Sequence, residues 1–160
     1  MNDYVRTMRS MIGKKTLLLC GAGVIVFRDG YILLQKRKDN GCWGIHGGCV
    51  ELGESVEDAA KRELYEETGL KVRTMKLYGV FSGPDHLYVY PNGDEAYIVD
   101  IIYICDDFEG ELKADNDEVA ELKWFRFEDV PENLNPPSSR IIREFASNKI
   151  NGNKASEQKV

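Results

Sequence analysis

A chain of 160 residues, 42% hydrophobic and 30% charged, has the size and composition of one globular domain with a real core. Its formal net charge of −6 excludes the broad basic footprint with which a general nucleic-acid binder neutralises phosphates. A small polyphosphate remains open to such a protein, because metal ions can bridge two negative partners.

The first segment, MNDYVRTMRSMIGKK, carries charges but no apolar core, so it is not read as a secretory leader. Residues 2–12 instead suit a short amphipathic helix with Tyr4, Val5, Met8, Met11 and Ile12 as its apolar set, stopped at Gly13. Residues 1–14 are therefore expected to be a helical extension, 15–147 the main domain, and 148–160 a polar, frayed tail. Leu17–Phe27 reads as a buried strand, broken or bulged at Gly21-Ala22-Gly23. Together with Thr16 it is too short and too interrupted by glycine to span a bilayer, which points to a cytoplasmic protein without a membrane partner. Asp29-Gly30 signals a hairpin into a return strand, Tyr31–Lys36. A turn at Asp39-Asn40-Gly41 precedes a short strand through Trp43 to Ile45.

A helix is expected after Ser55, an N-cap residue with Asp58 three positions on. Val56, Ala60 and Leu64 supply its apolar stripe, and Gly69 sits where a glycine stops a helix. Val72–Phe81 is a further strand, followed by a loop from Ser82 to about Asp94. The β-branched run Ala96–Ile104 suits a central strand, Glu121–Phe127 a last strand, and Pro136–Phe145 a closing helix. Strands interleaved with helices imply an α/β fold in which a mixed sheet lies between helices.

The helix after Ser55 carries the chemistry. Glu63, Glu66 and Glu67 fall within one turn and share a face, an arrangement that repels itself by a few tenths of a kcal/mol per pair, roughly. A hard divalent cation bound by carboxylate oxygens would offset that repulsion. Arg62, four residues before Glu66, can hold that carboxylate by a charge-assisted hydrogen bond, and it is always protonated. Glu54, near the helix N-terminus, reads equally as a cap or as a support for the metal site.

The stretch Gly48–Leu70, GCVELGESVEDAAKRELYEETGL, matches G-x5-E-x7-R-E-U-x-E-E-x-G-U at every specified place, where U is aliphatic. In this it resembles the signature of the Nudix hydrolases. The preceding WGIHGG is similar to the family's Trp-x-x-Pro-Gly-Gly, with His46 in place of the proline. The resemblance implies the Nudix fold, an α/β/α sandwich around a mixed sheet with the box as a loop-helix-loop. It implies hydrolysis of a nucleoside diphosphate linked to another group, a nucleoside triphosphate being one candidate. It implies magnesium, with manganese as an alternative, on Glu63, Glu66, Glu67 and the Gly47 carbonyl. In MutT-type members a glutamate six residues before the strand tryptophan activates water, which here is Glu118, counted back from Trp124. Glu95 in YPNGDE and Glu63 in the box are rivals for that role.

Substrate recognition is less legible. Arg28, Lys36, Arg37 and Lys38 are candidate phosphate contacts, although exposed charges are usually just solvated. Phe81, Tyr88, Tyr90 and Tyr97 could stack a base, and aromatics at strand spacing also serve packing. The long loop SGPDHLYVYPNGD is a natural carrier of specificity. In the family a downstream proline hints at ADP-ribose and a downstream tyrosine at dinucleoside polyphosphates; Pro84 and Tyr88 fall near both places, so the two hints cancel. ADP-ribose or nucleotide-sugar hydrolysis is thus an alternative substrate reading, and a non-catalytic nucleotide sensor is a second, disfavoured by the intact box. Cys42, His46 and Cys49 could hold zinc, but buried reduced thiols are the weightier account of the four cysteines. The expected partner is a small nucleotide rather than a nucleic-acid polymer, and oligomeric state is left open.

Overall fold

The computed structural model describes residues 3–115 and 117–157. Among the described residues three α-helices, α1 (Asp3–Ile12), α2 (Val56–Thr68) and α3 (Pro136–Glu157), surround one mixed sheet of eight strands. The strands are β1 (Leu17–Arg28), β2 (Tyr31–Arg37), β3 (Trp43–Gly44), β4 (His46–Cys49), β5 (Lys71–Phe81), β6 (Leu87–Val89), β7 (Glu95–Glu109) and β8 (Val119–Arg126). β1 runs parallel to β7 from Leu17↔Ala96 to Val26↔Cys105, and β5 lies antiparallel on the far side of β7. Asp29 (φ 51°) and Gly30 (φ 86°) both take left-handed backbone, which turns β1 tightly into β2 with Arg28 opposite Tyr31.

β1 and β2 pair only near this hairpin and then part. β4 takes over the edge of β1 along Gly21–Val24, while β3 pairs with β2 at Gln35 and Lys36. The glycine turn before α2 is thereby carried into the sheet. Alternation along β1 separates two cores. Val24 and Val26 pack with Ala59, Ala60 and Leu64 of α2, whereas Ile25 packs with Ile141, Ile142 and Phe145 of α3. Burying one such side chain is worth roughly 1.5–3 kcal/mol. α1 closes the start of the sheet through Tyr4, Val5 and Met8 against Leu17 and Leu19.

Four expectations need correction. Gly21 and Gly23 form no bulge: both stay in register with β4 and β7, and they are glycine because neighbours crowd in. A Cβ at Gly23 would lie 2.9 Å from the His46 carbonyl. The 82–94 loop contains a 3-10 turn at Pro84–His86 and the short β6, which exists only by pairing with Leu87↔Tyr97 to Val89↔Glu95 on β7. β7 runs beyond Ile104 to Glu109, because Lys71–Thr74 of β5 continues beside its polar end. The polar tail is helical as far as Glu157: Ile150 packs on the core, and Lys149 Nζ sits 4.1 Å above the Phe27 ring. Among the described residues no helix is long and apolar enough to cross a membrane.

Candidate active site

α2 begins and ends as its sequence dictates. Ser55 Oγ accepts from Asp58 N at 3.1 Å, and Gly69 closes the helix in left-handed backbone at φ 75°. Its buried stripe against the sheet sets the opposite edge, with Glu63, Glu66 and Glu67, along a cleft of about 680 Å³. The same cleft is bounded by Gly47 and Gly48 of β4, by Tyr88 and Tyr90, and by Asp115 and Glu118.

Arg62 organises the acidic wall. Its guanidinium donates to Glu54 at 2.8 and 3.0 Å, to Glu63 Oε1 at 2.7 Å, to Glu66 Oε2 at 3.2 Å and to the Cys49 carbonyl at 3.3 Å. The hydrogen bond from Arg62 holds the Glu54 carboxyl below the usual carboxylate range. Glu54 thus braces Arg62. Burial, with added repulsion from Glu67 and Glu66 and opposed by Arg62, pushes Glu63 up to about 7.

β4 completes the wall. Gly47 N donates to Glu67 Oε2 at 3.1 Å, fixing the deepest carboxylate of the three. A Cβ on Gly48 would fall 2.5 Å from Glu63 Oε1, and one on Gly47 would fall 2.5 Å from the Ala22 carbonyl oxygen. Glycine at both positions is what lets carboxylates and backbone approach so closely. His46, in place of the family proline, is a strand residue paired with Val24; its ring is fully buried, with Nδ1 3.7 Å from Glu67 Oε2.

Among the described residues no three His, Cys, Asp or Glu side chains are gathered around one ion-sized point. That holds for the box carboxylates, which are drawn to Arg62 and Gly47, and for Cys42, His46 and Cys49. Cys42 Sγ lies 3.3 Å from Asn133 Oδ1. The donor chemistry nevertheless fits a hard divalent cation: three carboxylates border one cleft, and Glu63 lies against bare backbone where any other residue than glycine would intrude.

Of the candidate substrate contacts, Arg37 lines the cleft and is bound to Asp39 at two 2.9 Å contacts. Arg28 instead lies 4.3 Å over the Phe108 ring. Tyr88 and Tyr90 meet edge to face at 4.6 Å within the cleft, whereas Phe81 packs with Tyr78 and His86 and Tyr97 is exposed. Glu118 borders the cleft; the Glu95 side chain accepts from Thr16 Oγ1 at 3.0 Å.

The sequence reading missed Arg9 and Asp100. Arg9, on α1, donates to the Glu95 carbonyl at 2.6 Å and sits beside Asp94 at the cleft margin. Asp100 stands on β7 inside the cleft. A lone charge amid the β-branched run YIVDIIYI was the available signal for it.

The model of the NUDIX domain matches residues 18–145. The chain belongs to the Nudix family. Its likeness to other Nudix proteins spans several activities. It is 40% identical over 124 residues to an ADP-ribose pyrophosphatase of Methanocaldococcus jannaschii, covering 76% of this chain and 69% of that one. It is 36% identical over 126 residues to a putative 8-oxo-dGTP diphosphatase of Bacillus subtilis, covering 78% of each. A crystal structure of a MutT Nudix hydrolase from Burkholderia pseudomallei superposes with a TM-score of 0.69 at 36% identity, covering 79% of this chain and 96% of that one. This Nudix hydrolase therefore shares its fold with the B. pseudomallei hydrolase, and its sequence is similar to proteins named as a pyrophosphatase and a putative diphosphatase of nucleotide derivatives.

Proposed function

We propose that this Nudix hydrolase cleaves the diphosphate of a small nucleotide derivative with magnesium, or manganese, as its ion. The supporting observation is Arg62, which is braced by Glu54 and draws Glu63 and Glu66 together on the wall of a cleft that also takes in Glu67 and Glu118. Glu63, Glu66, Glu67 and the Gly47 carbonyl would hold the ion. A divalent ion held there would supply screening of the phosphate oxygens and polarisation of the attacking water. Glu118, which borders the same cleft, takes the proton of that water as general base. Arg62 is never a base; it keeps two carboxylates turned toward the phosphates. Tyr88 and Tyr90 offer apolar ring surface to the nucleoside.

A nucleoside triphosphate is the first substrate class, and ADP-ribose or a nucleotide sugar the second. The second gains weight from the pyrophosphatase of M. jannaschii, and a cleft of about 680 Å³ has room for a group beyond the diphosphate. The test is phosphate, pyrophosphate or nucleoside monophosphate release from a panel of both classes, with and without magnesium. Magnesium-dependent cleavage of one class supports the reading and names the substrate. Nucleotide binding without turnover across the panel would overturn it.

A further inference from the structure

The cleft has a second polar feature that hydrolysis does not use. On the sheet face turned toward α3, cross-strand neighbours Gly21, Asp100 and Phe81 form one row across β1, β7 and β5. Gly21 has no side chain, and a Cβ there would collide with Asp100 Oδ1, so the carboxylate leans over bare backbone. On its other side, Phe81 stacks on the ring of His86 with centroids 6.4 Å apart. Above and below the carboxylate in the same strand stand Ile98 and Ile102. Asp100 is thus a single carboxylate on a largely apolar floor, its side chain 20% exposed.

Its neighbour is His86. Nδ1 of this buried ring lies 3.4 Å from Asp100 Oδ2, near enough for attraction but outside hydrogen-bond geometry, and Nδ1 has no hydrogen-bond partner. His86 therefore flanks one carboxylate oxygen without saturating the group. Burial raises the Asp100 carboxyl, opposed by His86, as expected for an acceptor short of partners. An acceptor held in apolar surroundings discriminates strongly, because a ligand without matching donors leaves it unpaired.

We infer that Asp100, flanked by His86, is a specificity-determining residue that accepts a pair of N–H or O–H donors from the nucleoside part of the substrate. This rests on the hydrolase reading above and deepens it. Two nucleoside groups present such a pair to one carboxylate: the N1–H and N2–H edge of guanine, and the vicinal hydroxyls of ribose. An adenine edge, with one donor beside an acceptor, does not match. Tyr88 and Tyr90 border the same cleft and supply apolar surface beside this polar anchor.

The experiment compares GTP, ITP and 2′,3′-dideoxy-GTP, with ADP-ribose as a further substrate, on the wild type, Asp100→Asn and Asp100→Glu. Asparagine keeps the shape but places an amide donor where an acceptor stood. In the wild type, kcat/KM should drop about 10- to 100-fold for the analogue that lacks one or both donors of the recognised pair. A drop with ITP assigns the guanine edge, and a drop with dideoxy-GTP assigns the ribose. Asp100→Asn should abolish that discrimination mainly through KM, and Asp100→Glu should restore part of it, which a purely structural role would not do. Melting temperatures within a few degrees of wild type exclude misfolding as the cause. Equal wild-type kcat/KM for all three guanine-series compounds, or discrimination unchanged in Asp100→Asn, overturns the inference. Failure of the wild type to hydrolyse any compound here or in the wider panel would overturn the hydrolase reading instead.

Discussion

Arg62 and Glu54 are joined through two parallel hydrogen bonds, Nε to Oε1 at 2.8 Å and the second guanidinium nitrogen to Oε2 at 3.0 Å. This fork fixes the plane of the guanidinium, so its remaining donors reach Glu63 and Glu66 at once. A lysine has the charge but not the fork. Arg62→Lys should lower kcat/KM by roughly 10- to 100-fold with little change in melting temperature. Glu54→Gln should do less, because one acceptor oxygen survives. Steady-state kinetics with a magnesium titration checks both, and a fully active Arg62→Lys would remove the guanidinium from the site's organisation.

The paired glycines of β4 should separate function from stability. A methyl at Gly48 meets only the end of the Glu63 side chain, which can swing away. Gly48→Ala should fold nearly normally yet lose activity, on the order of 100-fold for a displaced carboxylate. A methyl at Gly47 meets the backbone of Ala22 and Gly23, which cannot yield. Gly47→Ala should cost about 1–3 kcal/mol of stability. Denaturant midpoints beside kcat/KM distinguish the two, and identical behaviour would contradict the geometry.

Glu67→Gln should nearly abolish turnover and leave the fold intact. The amide oxygen can still accept from Gly47 N, so the β4 contact survives while the charge is lost. The expected loss exceeds the ~100-fold typical of supporting partners. Circular dichroism and a melting curve report the fold; wild-type turnover would take Glu67 out of the ion's ligand set.

Glu118→Gln should lower kcat far more than Glu95→Gln. Glu118 faces the cleft, whereas Glu95 is engaged with Thr16 outside it. The reverse order would move the base to the YPNGDE segment, and two unaffected variants would leave Glu63 as the base.

Acidity should act on the metal-free protein through Glu63. Its carboxyl is raised from 4.5 to about 7, so the folded state holds this proton more tightly than the unfolded chain does. Its contribution to stability is full below pH 4.5 and disappears as pH rises through 7. Melting temperature measured without metal should therefore decline between pH 5 and 8 by more in the wild type than in Glu63→Gln. Magnesium should bind more tightly over the same rise, because it needs the ionised carboxylate.

What could be read from the sequence follows the range of the interaction responsible. Ser55, Gly69 and the Val56-Ala60-Leu64 spacing act within a few turns, and the helix they predict is the one observed. Asp29-Gly30 likewise dictates its own hairpin. Gly21 and Gly23 were misread because a glycine in a strand signals either a bulge or a close neighbour, and the neighbours, His46 and Asp100, are distant in sequence. β6 escaped notice for the same reason: three residues become a strand only beside β7. The tail from Asn148 was read by composition, which does not register that Ile150 and Lys149 find the core. The pattern of the box puts Glu63, Glu66 and Glu67 on one helix, and that helix borders the cleft. Arg9 and Asp100 come to the cleft by tertiary structure alone.

The parallel pairing of β1 with β7 has a consequence for how the chain matures. β1 leaves the ribosome well before its long partner, which emerges only after the whole box has been made. Until then β1 has β2 and β4 along one edge and an unpaired edge on the side that β7 will occupy, an arrangement open to wrong partners. Joining ends so far apart in the chain is slow, and the floor that carries Asp100 and Gly21 is assembled at this seam. Acquisition of the nucleotide pocket should thus coincide with the last cooperative step of folding, so a nucleotide that fits it would act as a folding ligand as well as a substrate.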